Sequence, residues 1–211
     1  MNPTKFYTGR STIRMYLGDC MDLMKTGKWD LAIVDPPYGI ERFKANDGGN
    51  SKKITTFGDK DKNWNNIKPT DEYWNELFRA SKYQIVWGGN NFELPTSEYF
   101  IVWDKGQMMP SFARCEMAWT NCKVPAKIYA KRSQNLNRIH PTQKPVQLYK
   151  WLLTNYAKQG DTILDTHGGS MSIAIACWDL GFDLDIIELD PDYFNDAVKR
   201  FENHISQTQL F

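Results

Sequence analysis

The sequence predicts an α/β domain with a mainly parallel sheet, and three observations carry that expectation. Apolar runs such as "WDLAIVD" are continuous and bounded by acids, as in strands buried on both faces. These runs alternate with amphipathic, helix-like segments. Two of the strands end in an acid followed by a turn of prolines or glycines, "VDPPYG" and "LDTHGG".

Taken in order, "TIRMYLGDC" reads as a short strand ending at Gly18-Asp19, and "MDLMKTG" as a helical turn closed by glycine. "WDLAIVD" is the next strand. From Gly39 to Lys68 the chain is polar and rich in Asn, Gly and Lys, which predicts a long functional or disordered loop. "DEYWNELFRASK" carries Tyr73, Trp74, Leu77 and Phe78 at helical spacing. "YQIVWGGNNF" is a strand breaking at a Gly-Gly-Asn turn, and "YFIVWDK" another strand. "PVQLYKWLLTNYAKQGD" is an amphipathic helix that begins at a proline and is stopped by Gly160. "TILDTHGGSMSIAIACWDLG" reads as strand, glycine turn, helix and glycine stop. "FDLDIIELD" is the last strand and "PDYFNDAVKRFENHI" the closing helix. No internal repeat or low-complexity tract interrupts the pattern.

With 211 residues, 41% hydrophobic and 24% charged, the chain has the size and composition of one large soluble domain. It contains no apolar run of about eighteen residues and no secretory signal, so no membrane partner is expected and the cytoplasm is the expected compartment. Cys20, Cys115, Cys122 and Cys177 match no zinc or disulfide spacing, which predicts reduced thiols and no metal. Net charge is only +1, yet no acid occurs between Glu116 and Asp161, an interval holding Lys123, Lys127, Lys131, Arg132, Arg138, Lys144, Lys150 and Lys158. A solvated basic face is one explanation; a polyanion lying against the middle of the chain is the other.

In the second strand–turn–helix unit Asp165 ends the strand, Gly168 and Gly169 make the turn, and Ser170 and Ser172 open the helix. The next strand ends in Glu188. Such a unit can bring a ligand to the carboxyl ends of adjacent strands, with the second acid accepting from ribose hydroxyls. An ordinary βα turn is an equal alternative. "DPPY" is more specific, with a chance occurrence in a chain of this size on the order of one in a thousand. Pro36 and Pro37 fix their own φ angles and remove two backbone donors. The Asp35 carboxylate and Pro36 carbonyl are left as acceptors beside the face of Tyr38. That combination suits a planar group bearing an exocyclic NH2.

Together "DPPYGI", "HPTQKPVQLYKWLL" and "ILDTHGGSMSIAIA…IIELDPDY" resemble the S-adenosylmethionine-dependent DNA amino methyltransferases. The catalytic motif precedes the cofactor turn, as in the β group of that family. "WGGNNF", "IVWDK" and "EMAWT" resemble its compact phage or prophage members, and the resemblance spans Leu17 to Arg200. It implies a Rossmann-like methyltransferase fold with a short recognition insertion, and S-adenosylmethionine as cofactor. Asp-Pro-Pro-Tyr is usual in N6-adenine enzymes and Ser-Pro-Pro-Tyr in N4-cytosine enzymes, so the implied substrate is adenine in double-stranded DNA.

The resemblance further implies that Asp35, Pro36, Pro37 and Tyr38 act on a base flipped out of the helix. Asp35, Asp165, His167, Gly168, Gly169 and Ser170 would face the methionine part of the cofactor. Glu188 would hold its ribose, and the Asp19-Cys20 turn would meet its adenine. "HPTQKP", through backbone donors with Thr142 and Lys144, would suit the cofactor carboxylate at a helix start. His140 is either part of that group or a structural histidine. Two positions depart from the family pattern: Met171 stands where a glycine allows close backbone approach, and Ile186 where a glycine often precedes the ribose-binding acid. Both would be expected to weaken cofactor binding.

Residues 39–68 are expected to be a mobile DNA-facing loop bearing Arg42, Lys44, Lys52 and Lys53 with Phe57 and Trp64. Residues 105–138 are the expected target-recognition region, its cations Lys123, Lys127, Lys131, Arg132 and Arg138 contacting phosphate. The terminal "QTQLF" resembles a sliding-clamp peptide, with a Leu-Phe pair folding back onto the domain as the better reading. A homodimer is left open. The alternatives to an adenine enzyme are an N4-cytosine or RNA amino methyltransferase, or a DNA-binding relative that has lost catalysis.

Overall fold

A computed structural model describes residues 1–39, 68–106, 113–130, 139–140 and 142–208. Arg42, Lys44, Lys52, Lys53, Phe57, Trp64, Lys131, Arg132, Arg138 and the last residues of "QTQLF", 209–211, lie outside the described residues. The strands are β1 (Lys5–Thr8), β2 (Thr12–Leu17), β3 (Trp29–Val34), β4 (Ser81–Trp87), β5 (Phe100–Asp104), β6 (Cys115–Thr120), β7 (Lys127–Ala130), β8 (Thr162–Asp165) and β9 (Asp183–Glu188). They form one nine-stranded sheet in the order β1-β2-β9-β8-β3-β4-β6-β5-β7. Parallel pairing joins β2, β9, β8, β3 and β4, while β6 runs antiparallel between β4 and β5. The architecture is Rossmann-like α/β.

The apolar strands alternate their side chains into two cores. Leu31 and Ile33 of β3 join Ile85 and Trp87 of β4 on one face, with α3 (Val146–Tyr156), α4 (Ser172–Leu180) and α5 (Pro191–Thr208) packed there. Ala32, Val34 and Val86 face the other way, onto α1 (Cys20–Met24) and α2 (Asp71–Ala80). Burial on both faces is why these strands read as continuous apolar runs rather than alternating ones.

Local chemistry fixes the helix starts. The Asp19 side chain accepts from Met21 N at 2.9 Å, and the Thr70 hydroxyl from Tyr73 N at 3.4 Å, capping α1 and α2. Asp190 Oδ1 accepts from Asp192 N and Tyr193 N at the start of α5, with Pro191 as its first residue. Gly181 closes α4 in the left-handed region at φ 77°.

Four elements differ from the sequence reading. α3 stops at Tyr156 rather than near Gly160, because Asp161 Oδ2 accepts from Lys158 N at 2.8 Å and turns the chain first. β1 forms an antiparallel edge hairpin with β2 that its short, mostly exposed sequence did not signal. Within 105–138, expected to be a recognition insertion, Cys115–Thr120 and Lys127–Ala130 are strands of the sheet. The chain leaves β3 through α2 toward β4, and leaves β8 through α4 toward β9 on the opposite side. That reversal opens a crevice at the carboxyl ends of β3 and β8, where ligands of such sheets bind.

Candidate active site

A cavity of about 680 Å3 occupies that crevice. Asp19 and Cys20 after β2, Asp35 and Pro37 after β3, and Glu188 after β9 line it. So do His167, Gly168, Gly169 and Ser170 after β8, and His140, Thr142 and Lys144 ahead of α3. Segments far apart in sequence thus meet because their strands end at one edge of the sheet.

The acid at the end of β9 is held by two backbone donors. Glu188 Oε2 accepts from Gly169 N at 2.7 Å and Oε1 from Asp190 N at 2.9 Å, and burial raises its carboxyl above the ordinary range. Asp165 is 3% exposed and lies behind the glycine turn. Burial pushes its carboxyl up to about 7, although His167 N donates to it at 3.0 Å. Burial also lowers His167 to about 4, so its ring is neutral at pH 7. The Cys20 thiol is pushed up to about 12 by burial and is no thiolate nucleophile.

Met171 sits in the left-handed region at φ 50°, the sole non-glycine with positive φ among the described residues. Its side chain is 1% exposed and joins the core beneath the turn together with Ile186. Neither residue lines the cavity, so the two departures that the sequence suggested would crowd the cofactor are core packing instead. Gly169 is required by its backbone, at φ 49°, rather than by space, since an added Cβ would meet the His140 ring at an ordinary 3.7 Å.

In the turn after β3, Asp35 is held from two directions. Tyr38 Oη donates to Oδ1 at 2.6 Å, and Lys144 Nζ makes a close ion pair with Oδ2. The Tyr38 ring packs edge-on to Phe92 at 6.0 Å and lies against Gly88, where a Cβ would stand 2.3 Å from it. Pro37 lines the cavity; Pro36 lies buried beside it. Lys144 also ion-pairs with Glu116 Oε2 at 3.4 Å, and Glu116 pairs in turn with Lys105. Burial alone would push the Lys144 ammonium down, but the carboxylates of Asp35 and Glu116 outweigh it and hold it above the usual lysine range. Glu116 is the mirror case: burial would raise it, and the two lysines hold it below the usual range. The lysine expected at a cofactor carboxylate is therefore paired with Asp35 and Glu116.

His140 is pinned by its own surroundings. Its Nδ1 lies 3.2 Å from Thr142 Oγ1, and its ring stands edge-on to Tyr193 at 4.4 Å. Sequence reasoning missed several wall residues. Tyr73, read as a helix core residue, reaches Thr166 Oγ1 at 2.7 Å, and Thr70, Tyr149 and Tyr193 complete the apolar side. Each is an aromatic or cap residue whose helical spacing looks purely structural. Glu116 had one visible mark: it is the last acid before the long acid-free interval.

Two expected DNA contacts are not brought to this rim. Lys123 follows β6, which runs back along β4 from Trp87 at Ala118 to Ile85 at Thr120, and Lys127 pairs with Ile101 near the start of β5. Both stand at the end of the sheet opposite Asp35, because β6 carries the chain back down; Lys127 Nζ donates to Asn155 at 2.6 Å. Among the described residues no cluster of His, Cys, Asp and Glu could hold a metal, and no helix is long and apolar enough to cross a membrane.

Fold and crevice together define a Rossmann-like methyltransferase architecture. The sequence matches the N6/N4 DNA methylase family over residues 59–199, and the chain belongs to that family, which is S-adenosylmethionine-dependent. Among solved structures, the chain is similar to the M1.HpyAVI–SAM complex, with TM-score 0.60, 21% identity and coverage of 89% of this chain and 98% of that one. It is also similar to the cytosine-N4-specific PvuII DNA methyltransferase, with TM-score 0.60, 13% identity and coverage of 93% and 91%. A putative DNA modification methylase from Thermus thermophilus, complexed with S-adenosyl-L-methionine, aligns with TM-score 0.56, 16% identity and coverage of 90% and 95%. At these identities the likeness is one of fold. No curated protein sequence matches the chain.

Proposed function

We propose that the protein methylates the N6 amine of an adenine flipped out of double-stranded DNA, with S-adenosylmethionine as donor. The observation that carries this reading is that Asp35 opens onto the same cavity as the Gly168–Ser170 turn and Glu188. The residues fit the cofactor: Glu188, a pre-oriented acid for ribose hydroxyls, and the Gly168–Gly169 turn beside it on the cavity wall. When bound, the cofactor supplies an electrophilic methyl on a sulfonium.

The chain's own residues do the rest. Glu188 would hold the ribose, the Asp19-Cys20 turn the cofactor's adenine, and His140 with Thr142 the end of the methionine part. Asp35 and the Pro36 carbonyl accept the hydrogens of the target amine, whose lone pair is otherwise delocalised into the ring. That interaction turns the lone pair outward and fixes the nitrogen for in-line attack, so catalysis is positioning rather than strong base chemistry. Extruding the base costs a few kcal/mol, and stacking on Tyr38 returns about 1–3 kcal/mol. As the base enters, Tyr38 exchanges its hydrogen bond to Oδ1 for ring contact, and the amine takes that oxygen. Arg42, Lys44, Lys52 and Lys53, with Lys131, Arg132 and Arg138, bind DNA phosphate.

Transfer of tritiated methyl to unmethylated plasmid DNA tests the reading. Asp35→Ala should abolish transfer while S-adenosylmethionine still binds by calorimetry. Wild-type turnover in Asp35→Ala would end it.

A further inference from the structure

On the reading that Asp35 accepts the target amine, we propose that Glu116 is a positioning residue for methyl transfer, acting through Lys144 on the Asp35 carboxylate. Four charges of alternating sign run from the protein surface to the cavity wall: Lys105, Glu116, Lys144 and Asp35. They come from the end of β5, the start of β6, the segment ahead of α3 and the turn after β3, so no local helix pairing accounts for the row. Lys144 is the most enclosed member, with its side chain 3% exposed against 19% for Asp35 and 27% for Glu116. A lysine so buried is costly unless carboxylates and other contacts compensate it. Here two carboxylates do so, and the Trp87 ring, 5.2 Å from the ammonium, closes the remaining side.

Two consequences bear on the reaction. Lys144 fixes Oδ2, so Oδ1 is the oxygen left to exchange Tyr38 for the target amine, and the choice of one oxygen sets the approach of the base. Asp35 and Glu116 also share one ammonium, so removing the charge of either leaves the whole of it to the other. The ionisable groups in electrostatic reach of Asp35 are Tyr38 on its own turn, Lys144 and Tyr149 around the start of α3, Glu116 from β6, and Asp165 and His167 after β8. A purely architectural ion pair would affect folding and leave the pH dependence of transfer where it is.

The test is the acid limb of the single-turnover transfer rate, from tritiated S-adenosylmethionine to unmethylated plasmid DNA, followed across pH. Lys144→Met leaves two facing carboxylates without their cation, so the limb should move to higher pH by about one to three units. Glu116→Gln gives Asp35 the whole ammonium, so the limb should move to lower pH. The double variant should fall between the two. Asp165 also feels the Lys144 ammonium, so the series is repeated in an Asp165→Asn background, where shifts of the same sign must persist. An unmoved limb in Glu116→Gln, or one moving upward, overturns the proposal. Should Lys144→Met fail to fold, Glu116→Gln against wild type decides alone, because Lys144 then keeps Asp35 as partner. Asp35→Ala runs alongside: full activity there sinks the amine-acceptor reading, whereas an inactive Asp35→Ala beside an unmoved Glu116→Gln limb sinks only the role of Glu116.

Discussion

Met171 offers a quantitative test of how the cofactor turn is built. Replacing it by glycine has two opposed effects. Truncating a core methionine that is 1% exposed costs about 2–5 kcal/mol, cavity included. Releasing an L-residue from φ 50°, ψ 36° returns about 1–2 kcal/mol. Met171→Gly should therefore be less stable than wild type by about 1–4.5 kcal/mol once glycine's freedom in the unfolded chain is counted. Met171→Ala loses the same packing but keeps the left-handed strain. Glycine's larger freedom in the unfolded chain offsets about 0.4–1 kcal/mol of its advantage. The glycine variant should still exceed the alanine variant by about 0.5–1 kcal/mol, or about 1–4 °C in Tm at this chain length. Urea unfolding and thermal melting of the three proteins measure this, and S-adenosylmethionine affinity should stay within a few-fold because Met171 does not line the cavity. Alanine equal to or above glycine would refute the strain argument.

Two further outcomes follow from the same geometry. Glu188→Gln removes a charged acceptor worth about 1.5–3 kcal/mol per hydrogen bond, so calorimetry should find S-adenosylmethionine binding weakened by about 10- to 150-fold. Asp165 binds its proton more tightly folded than unfolded, its carboxyl rising from 3.8 to about 7. Stability from this group is thus full at low pH and lost as pH rises through that window. Asp165→Asn should flatten the decline between pH 4 and 7 in urea unfolding curves; an unchanged slope would contradict the assignment.

Much of the fold was legible because parallel strands buried on both faces must be apolar throughout, as "LAIV" at Leu31–Val34 is. The site's strand-end acids, Asp35, Asp165 and Glu188, were legible for a related reason, since an acid closing an apolar strand has little structural purpose. Pairings across the fold were not. Lys144 meets Asp35 over a separation of 109 positions, and no local pattern encodes such a contact. Met171 looked like an obstruction because its position along the turn is visible in sequence while the direction of its side chain is not. Lys123 and Lys127 looked like part of a basic face until the antiparallel course of β6 carried them to the far end of the sheet.

Nucleoside mass spectrometry of unmethylated DNA, after incubation with the protein and isotopically labelled S-adenosylmethionine, puts the central claim to the most direct test. The expected result is label in N6-methyladenine, and none with Asp35→Ala. Label in N4-methylcytosine, or label in neither base from a protein that binds the cofactor, would contradict it.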